Sequence, residues 1–333
     1  MTPVAAEGPA APGPAALDLA ALAARLPPRP LTRFAPSPTG YLHLGHVVNA
    51  LWVWGVARSL GGRVLLRVED HDATRCRPEY ERALFEDLEW LGLMPDELAP
   101  RQSDSGDAYA ATLARLSAAH HVYGCECSRR TIADEAADVF GAETRYPGRC
   151  RPLGLMPGAG RGTRVILGQG VEEFGDALLG PQRQEPDLQC GDLLLRDRLG
   201  HWTYQFAVTV DDLRQEVDLV IRGEDLVEST GRQIRLGRML GRVEPAVFLH
   251  HPLIVKADGA KLSKAAGDSG VRELREAGAS PEEVWQEAAR RGGASSSCSP
   301  PPSRHWTAGR RRRGAVRSAR RGCHPPGLPS RRA

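Results

Sequence analysis

The stretch RFAPSPTGYLHLGHVVNA, residues 33–50, determines the fold that we expect for this chain. A strand pattern at residues 32–35 ends in a turn rich in Pro and Gly, and residues 43–60 then have the pattern of a helix. Residues 64–68 form an apolar run typical of a buried parallel strand. Strand, helix and strand in this order make a βαβ unit, so the sequence predicts an α/β fold.

Helix and strand patterns alternate over most of the remaining chain. Helices are predicted at residues 79–91, 107–121, 204–210, 229–240 and 282–290. Strands are predicted at residues 163–167, 192–195, 217–222 and 253–256. An insertion rich in Cys, Gly and Pro interrupts the alternation at residues 124–164. The Ala/Pro-rich residues 1–30 are expected to be a disordered extension, apart from a short helical pattern near residues 17–26.

Length and composition indicate a globular protein. The 333 residues, 41% of them hydrophobic, are enough for a buried core and about two domains. No run of 18 apolar residues occurs, and the N-terminal stretch does not have the pattern of a secretory signal. We therefore expect a cytoplasmic protein that does not contact a membrane. The odd number of seven Cys favours free thiols or a metal site over disulfides.

The net charge of +3 is distributed unevenly along the chain. Residues 294–333 contain ten Arg and no Lys, Asp or Glu, so subtracting their +10 from +3 leaves −7 on residues 1–293. One interpretation of this tail is a basic arm that binds nucleic acid phosphates. The other, which we favour, is an out-of-frame C-terminus, because GC-rich DNA encodes Arg, Pro, Ser, Gly and Ala in a wrong frame.

The three Lys of the chain all lie within nine residues, at Lys256, Lys261 and Lys264. A chance cluster is one interpretation. The other is a site that needs a compact, mobile cation, because ammonium is a point charge whereas guanidinium is a broad planar fork.

His43 and His46 lie three residues apart at the predicted start of a helix, and therefore on one face of it. Backbone N–H groups at a helix start, together with imidazole N–H groups, suit a polyphosphate. A His pair on a helix is by itself more often structural or solvated than catalytic, so the surrounding residues must decide between these roles.

Those residues resemble the HIGH signature of class I aminoacyl-tRNA synthetases, and RFAPSPTG is the lead-in found in the glutamyl and glutaminyl branch. KLSKA, residues 261–265, is similar to the second signature, KMSKS. The resemblance implies a Rossmann-like, doubly wound parallel sheet with a zinc-containing insertion and a short helical C-terminal part. It implies that ATP, with Mg²⁺, is bound by His43, Gly45, His46, Lys261, Ser263 and Lys264. The implied catalytic residues, which stabilise the departing pyrophosphate, are His43, His46, Lys261 and Lys264.

The resemblance also implies a pocket for L-glutamate, formed by Arg33, Ala35, Ser37, Glu69, Tyr204 and Arg222. RVEDHD, residues 67–72, resembles the RIEDTD segment of glutamate-specific members, in which Glu69 would meet the amino group. Arg222 is the implied bidentate partner of the side-chain carboxylate. Val208 departs from the Asn that is usual in the family, which weakens one polar contact with glutamate.

Cys125, Cys127 and Cys150 supply three thiolates in the insertion, whereas tetrahedral Zn²⁺ needs four ligands. From the spacing alone, a metal site and free thiols are equally good interpretations. A small subgroup of glutamyl synthetase-like proteins has the same Cys-x-Cys and Tyr-x-x-x-Cys arrangement. That resemblance implies one structural Zn²⁺ with Tyr146 as the fourth ligand.

After the KLSK signature, a glutamyl-tRNA synthetase continues with a helical anticodon-binding domain, whereas here a single helix is predicted before the tail. Residues 31–292 therefore resemble the glutamyl-queuosine tRNA(Asp) synthetase family. The resemblance implies that a monomer activates glutamate without tRNA and transfers it to queuosine in the anticodon loop of tRNA(Asp). A glutamyl-tRNA synthetase truncated by a frameshift, and a non-catalytic paralogue used as a binding module, stay open as alternatives.

The expected domain plan combines these interpretations. It consists of the extension (1–30), the first half of the catalytic domain (31–123), the zinc-binding insertion (124–164), the second half with acceptor-binding elements (165–250), the KLSK loop with a terminal helix (251–293) and the tail (294–333).

Overall fold

The computed structural model of the protein describes residues 17–72, 74–135, 139–140, 143–254 and 270–292. The helices in these ranges are α1 (Leu19–Ala23), α2 (Leu44–Ser59), α3 (Pro78–Trp90), α4 (Gly106–Ala119), α5 (Arg129–Glu135), α6 (Pro186–Gln189), α7 (Tyr204–Arg214), α8 (Thr230–Met239), α9 (Val271–Glu276) and α10 (Pro281–Gly292). The strands are β1 (Leu31–Phe34), β2 (Arg63–Leu66), β3 (Glu97–Leu98), β4 (Val122–Cys125), β5 (Val139–Phe140), β6 (Glu143–Thr144), β7 (Gly162–Val165), β8 (Glu172–Asp176), β9 (Gly180–Gln184), β10 (Leu193–Arg196), β11 (Leu219–Gly223) and β12 (Val247–His251).

The main sheet has seven strands in the order β3-β2-β1-β11-β12-β8-β9. Neighbouring strands run parallel, except for the antiparallel pair of β8 and β9. From β1 the chain continues outward to β2, whereas from β11 it continues in the opposite direction to β12. The strand order thus reverses between β1 and β11, which is where doubly wound sheets bind their ligands, beyond the carboxyl ends of the strands. The expected doubly wound parallel sheet is confirmed.

Helix α2 lies at the centre of the largest hydrophobic core. It packs against β1, β2 and β11 on one side and against α10 on another. Its residues are accordingly apolar around most of the helix circumference. Trp54 of α2 is 1% exposed and donates its indole N–H to the Met94 carbonyl at 3.1 Å. Burial on both sides fixes the position of the α2 N-terminus relative to the sheet.

A smaller antiparallel sheet, in the order β10-β7-β4, carries the cysteine-containing segment. β5 and β6 form a separate hairpin. The expected insertion boundaries at residues 124 and 164 lie inside β4 and β7, because both strands pair across them and β7 also pairs with β10.

The structure differs from the sequence analysis in three places. Residues 253–254, in the strand predicted at 253–256, lie outside any strand; the strand is β12, which ends before Pro252. The β8–β9 hairpin was not predicted at all. Part of the extension that we expected to be disordered forms α1, capped by the Asp18 side chain and anchored by Leu22, which is 1% exposed. Residues 1–16 lie outside the described ranges.

No helix in the described part of the chain has both the length and the apolar character needed to cross a membrane.

Candidate active site and cysteine cluster

Polar side chains from four adjacent parallel strands meet at the carboxyl edge of the main sheet. Arg33 lies near the end of β1, Glu69 follows β2, Arg222 lies near the end of β11 and His250 lies near the end of β12. All four side chains are buried. This edge is the candidate active site, and it contains the predicted residues Arg33, Glu69 and Arg222.

The start of α2 is organised by its two histidines. His43 is the N-cap residue, and its Nδ1 accepts from the Gly45 N–H at 3.1 Å. His46 Nδ1 accepts from the His43 N–H, also at 3.1 Å, and the two ring centroids are 3.9 Å apart. Because both Nδ1 atoms accept, the neutral rings carry their protons on Nε2, and an Nε2–H group is a suitable donor to phosphate oxygens.

Gly45 leaves room for the His43 side chain in this cap. A Cβ atom at position 45 would lie 3.0 Å from Cε1 of His43, too close for an ordinary contact. Beside the cap lies a cavity of about 380 Å³, lined by His43, Gly45, His46, Asn49, Arg222 and His251, among others. The predicted residues His43, Gly45 and His46 therefore share one cavity with Arg222.

Arg33 and Arg67 share Asp212 as an ion-pair partner. The distances to Asp212 Oδ1 are 3.3 Å from Arg33 Nε and 2.7 Å from Arg67 Nη1. Burial would raise the pKa of Asp212, but the two arginines lower it, so the carboxylate stays ionised. Arg67 also donates to Glu69 Oε1, at 3.0 Å from Nη2. Among the described residues Oε2 of Glu69 has no hydrogen-bond partner, so it can accept from an ammonium group.

Ser37 and Tyr204 complete the surroundings of Glu69 and Arg222. The Ser37 hydroxyl donates to the Glu69 carbonyl at 2.8 Å, and Ala35 lies between Ser37 and β1. Tyr204 is the first residue of α7. Loss of solvation raises the pKa of its hydroxyl, and the positive charge of Arg222 acts in the opposite direction. The structure thus brings the six predicted pocket residues to one edge of the sheet.

The hydrogen-bond partners of Arg222 among the described residues are neutral groups. It is 3% exposed and donates to Gln233 Oε1 at 2.8 Å, to Thr230 Oγ1 at 2.8 Å and to His250 Nε2 at 3.0 Å. No carboxylate in the described ranges forms an ion pair with it, in contrast to Arg33 and Arg67. A buried guanidinium without an anionic partner is a ready binding site for a carboxylate ligand.

Sequence reasoning missed Asp176, Asp212 and His250. Asp176 Oδ2 lies 2.7 Å from His250 Nδ1, and both side chains are fully buried. Burial lowers the pKa of His250 in spite of this hydrogen bond, so the ring stays neutral. The residues belong to separate elements, and the local signals were weak: paired acids at 211–212 and paired histidines before Pro252.

Lys261, Ser263 and Lys264 lie outside the described residues, so their predicted contacts with ATP stay predictions.

The sulfur atoms of Cys125, Cys127 and Cys150 lie within 4.8 Å of one another. The Cys127 and Cys150 sulfurs are 3.5 Å apart, and the Tyr146 hydroxyl is 3.4 Å from the Cys125 sulfur. A tetrahedral Zn²⁺ with Zn–S bonds of about 2.3 Å holds its sulfurs about 3.8 Å apart. The four predicted ligands therefore fit one Zn²⁺ in both spacing and donor type.

Arg164 and Gly191 hold the tyrosine of this cluster in place. The Arg164 guanidinium lies 3.7 Å from the centre of the Tyr146 ring. Although burial raises the pKa of Cys125, hydrogen bonds with Tyr146 and Arg164 and the charge of Arg164 lower it overall. Gly191 has a φ of +69°, and a Cβ atom there would lie 2.1 Å from the Tyr146 carbonyl oxygen. Only glycine allows this approach of the two backbones.

Comparison with known proteins identifies the family of this chain. Residues 31–299 match the model of the class I tRNA synthetases (E and Q), catalytic domain. The chain belongs to this family. The matched region begins at β1 and includes the whole candidate active site.

Curated relatives and a solved structure agree with this assignment. The chain is 47% identical over 241 residues to a Glutamyl-Q tRNA(Asp) synthetase of Bordetella bronchiseptica, covering 71% of this chain and 75% of the relative. It is 43% identical over 269 residues to the protein of that name from Ralstonia nicotianae, covering 78% of this chain and 82% of the relative. A glutamate tRNA ligase from Elizabethkingia meningosepticum, solved in complex with its amino acid, aligns with a TM-score of 0.62 and 29% identity over 75% of this chain. The chain spans about half of that ligase, 53% of its length.

Proposed function

We propose that this class I synthetase domain activates L-glutamate with ATP, without tRNA, and then transfers the glutamate to queuosine in the anticodon loop of tRNA(Asp). The observation that carries the proposal is Arg222, a buried guanidinium with neutral partners that lies in one cavity with His43 and His46. A carboxylate substrate supplies the anion that Arg222 lacks. The names of the curated relatives support the choice of tRNA.

In the first step, an α-carboxylate oxygen of glutamate attacks the α-phosphorus of ATP. The bond from this phosphorus to the bridging oxygen of pyrophosphate breaks, so glutamyl-adenylate and pyrophosphate form. ATP enters as its Mg²⁺ complex. The Nε2–H groups of His43 and His46 donate to phosphate oxygens, and Lys261 and Lys264 stabilise the charge that develops on pyrophosphate.

Glutamate is recognised by its charges. Arg222 takes the side-chain carboxylate, and its neutral partners leave its full positive charge for that contact. Glu69, held through Oε1 by Arg67, presents Oε2 to the substrate ammonium. Arg33, Ala35, Ser37 and Tyr204 enclose the rest of the amino acid. A substrate without the side-chain carboxylate would leave Arg222 buried and unpaired, which costs about 2–5 kcal/mol.

In the second step, a hydroxyl of the cyclopentene-diol ring of queuosine attacks the carbonyl carbon of glutamyl-adenylate. An ester forms, the hydroxyl proton is released to solvent, and AMP leaves with the electron pair of the broken C–O bond. Splayed bases in a single-stranded loop are the parts of RNA that proteins read most readily. A catalytic domain of this kind can therefore act directly on an anticodon loop.

The proposal includes one structural Zn²⁺ bound by Cys125, Cys127, Tyr146 and Cys150. Spacing, donor types and burial of the cluster support it. The ion would hold together a segment with few apolar residues, and it would take no part in either chemical step. A cytoplasmic location and a monomeric state belong to the same proposal.

The decisive experiment is glutamate-dependent exchange between ATP and pyrophosphate, measured with and without tRNA. We expect exchange without tRNA, and glutamate transfer to queuosine-containing tRNA(Asp) but not to tRNA(Asp) that lacks queuosine. Strict dependence on tRNA, or robust charging of tRNA(Glu), would instead support a truncated glutamyl-tRNA synthetase. Absence of exchange under both conditions would support a non-catalytic paralogue.

A further inference from the structure

Arg222 has a fixed partner on the neighbouring strand. Arg222 of β11 and His250 of β12 lie directly opposite each other in the parallel register, and Arg222 Nε lies 3.0 Å from His250 Nε2. The Phe248 ring lies nearly parallel to the His250 ring, at an interplanar angle of 8°. The Arg222 guanidinium carbon is 5.5 Å from the centre of the Phe248 ring. The two side chains therefore sit in a packed position.

The polarity of this contact defines the tautomer of His250. Arginine Nε carries a hydrogen and can only donate, so His250 Nε2 must accept. The hydrogen of the neutral imidazole is then on Nδ1, where it is donated to Asp176 Oδ2 at 2.7 Å. Asp176 is itself fixed, because its Oδ1 accepts from the backbone N–H groups of Leu178 and Leu179, each at 2.9 Å, and of His250 at 3.3 Å.

The same contact leaves N–H donors of Arg222 for a ligand. A guanidinium has five N–H donors, and three are used by His250, Gln233 and Thr230. Tyr204 is a further hydrogen-bond partner of Arg222, so the N–H groups that remain on the terminal nitrogens lie beside a predicted pocket residue, where they can meet a carboxylate. Rotation of the guanidinium would break all three contacts at once.

We propose that Asp176 and His250 are positioning residues for glutamate recognition: Asp176 holds His250 in the Nδ1–H tautomer, and His250 Nε2 holds the Arg222 guanidinium in the orientation that binds a carboxylate. This inference rests on the proposed function, since it assigns Arg222 to the side-chain carboxylate of glutamate. Neither residue touches the substrate.

The variant Asp176→Asn tests the tautomer directly. Asparagine has a single acceptor oxygen, and this oxygen takes the Oδ1 position because three backbone N–H groups donate there. Its NH₂ group then faces His250 Nδ1, so the imidazole hydrogen moves to Nε2 and points at the Arg222 Nε–H. We expect the KM for glutamate to rise about 10- to 100-fold, the loss of a hydrogen bond to a charged group. The KM for ATP and the kcat at saturating glutamate should stay within about threefold of wild type.

Asp197 and His201 provide a matched control. Asp197 Oδ1 accepts from the backbone N–H groups of Leu199 at 2.9 Å and His201 at 2.8 Å, and its Oδ2 lies 3.1 Å from His201 Nδ1. This pair is partly exposed and lies outside the candidate active site. Asp197→Asn makes the same chemical change and should leave the KM for glutamate unchanged.

Two substitutions of His250 separate its two contacts. His250→Gln presents an acceptor near the Nε2 position and should recover most of the glutamate affinity. His250→Asn keeps only a donor toward Asp176 and should behave like Asp176→Asn. If both variants raise the KM for ATP and glutamate equally, the role of His250 is structural and the inference is wrong.

A spectroscopic measurement keeps the inference independent of activity. In ¹⁵N-labelled full-length protein, the His250 resonances, assigned with His250→Gln, should show protonated Nδ1 and unprotonated Nε2, and in Asp176→Asn the reverse. Protonated Nε2 in the wild-type protein would overturn the inference. If the wild-type protein shows the expected tautomer but no glutamate-dependent exchange, the proposed function fails instead; if it activates glutamate and Asp176→Asn keeps the wild-type KM, only the inference fails.

Discussion

The active-site edge of the main sheet and the cysteine cluster are both buried and polar, but they are stabilised differently. In the first, Arg33 and Arg67 already share Asp212, and the surrounding strands and α2 form the largest core. In the second, the buried core consists of Tyr123, Cys125, Tyr146 and Cys150, three of which are proposed zinc ligands. The fold itself assembles the active site, whereas we propose that the cluster depends on a bound Zn²⁺. Substitutions in the first should therefore change catalysis, and loss of zinc should change local stability.

The largest effect is expected from Arg222→Leu. The glutamate side-chain carboxylate would be left unpaired in a desolvated pocket. The kcat/KM for glutamate should therefore fall by an amount equivalent to about 2–5 kcal/mol of lost transition-state stabilisation, with ATP binding retained. The control is Arg183→Leu on β9, which replaces an exposed arginine paired with Glu185. It should change the activation free energy by less than about 0.5 kcal/mol. Unaltered glutamate activation by Arg222→Leu would mean that the pocket lies elsewhere.

Lys264→Ala should have the next largest effect. Removing the cation that we propose to stabilise charge on pyrophosphate should raise the barrier of the exchange reaction by about 2–4 kcal/mol, mainly through kcat. Lys256→Ala, outside the KLSK signature, is the matched control and should keep most of the activity. A near wild-type kcat for Lys264→Ala would refute the assigned role.

The parts of the fold that the sequence predicted well are those with strong local patterns. β1, α2 and β2 follow from the turn residues and the apolar runs of residues 32–68, and the histidines at the start of α2 could be placed without the structure. The cysteine spacing supplied three ligands, and the resemblance supplied Tyr146. The structure brings all four together.

The features that sequence missed have buried faces that are polar. In β8 the buried positions are Glu172 and Asp176, so the strand lacks the apolar alternation that would reveal it. Glu172 is compensated by Arg235 and Arg238 of α8. Asp176 meets His250 from 74 residues away. Such compensation depends on sheet order, which local patterns do not contain.

Acid should destabilise the active-site edge through His251, which stacks on Trp52. Burial lowers the pKa of His251 from 6.5 to about 4. The folded state therefore binds fewer protons than the unfolded state between these two pH values. The stability that neutral His251 contributes is complete above pH 6.5 and is lost as pH falls toward 4. We expect the free energy of unfolding to fall by up to about 1.4 kcal/mol per pH unit in this window.

The measurement is urea unfolding at several pH values between 7 and 4.5, compared with His251→Gln. The variant lacks this titration and should show a flatter pH dependence. Asp212 does not interfere, because its pKa is lowered from an ordinary value of 3.8 and it titrates below the window. Parallel curves for the two proteins would contradict the prediction.

The smallest effect on glutamate activation is expected from removing zinc, although the effect on the cysteine cluster should be large. Protein purified without chelator should contain one zinc per chain, and Cys127→Ser should lose it. Cys190→Ser should keep it, because Cys190 lies close by but donates to the Pro186 carbonyl at 3.1 Å and belongs to no metal-ligand group.

After chelation, amide hydrogen exchange should accelerate in residues 122–135 and 143–165, because the core of this segment is formed largely by the proposed ligands themselves. The main sheet should keep its protection, since its core around α2 contains none of the four ligands. Glutamate-dependent exchange between ATP and pyrophosphate should then stay within about twofold of the zinc-loaded rate, because neither of the proposed chemical steps uses the ion. A loss of tenfold or more would show that the active site depends on the cluster, and protein without zinc before chelation would reject the metal site itself.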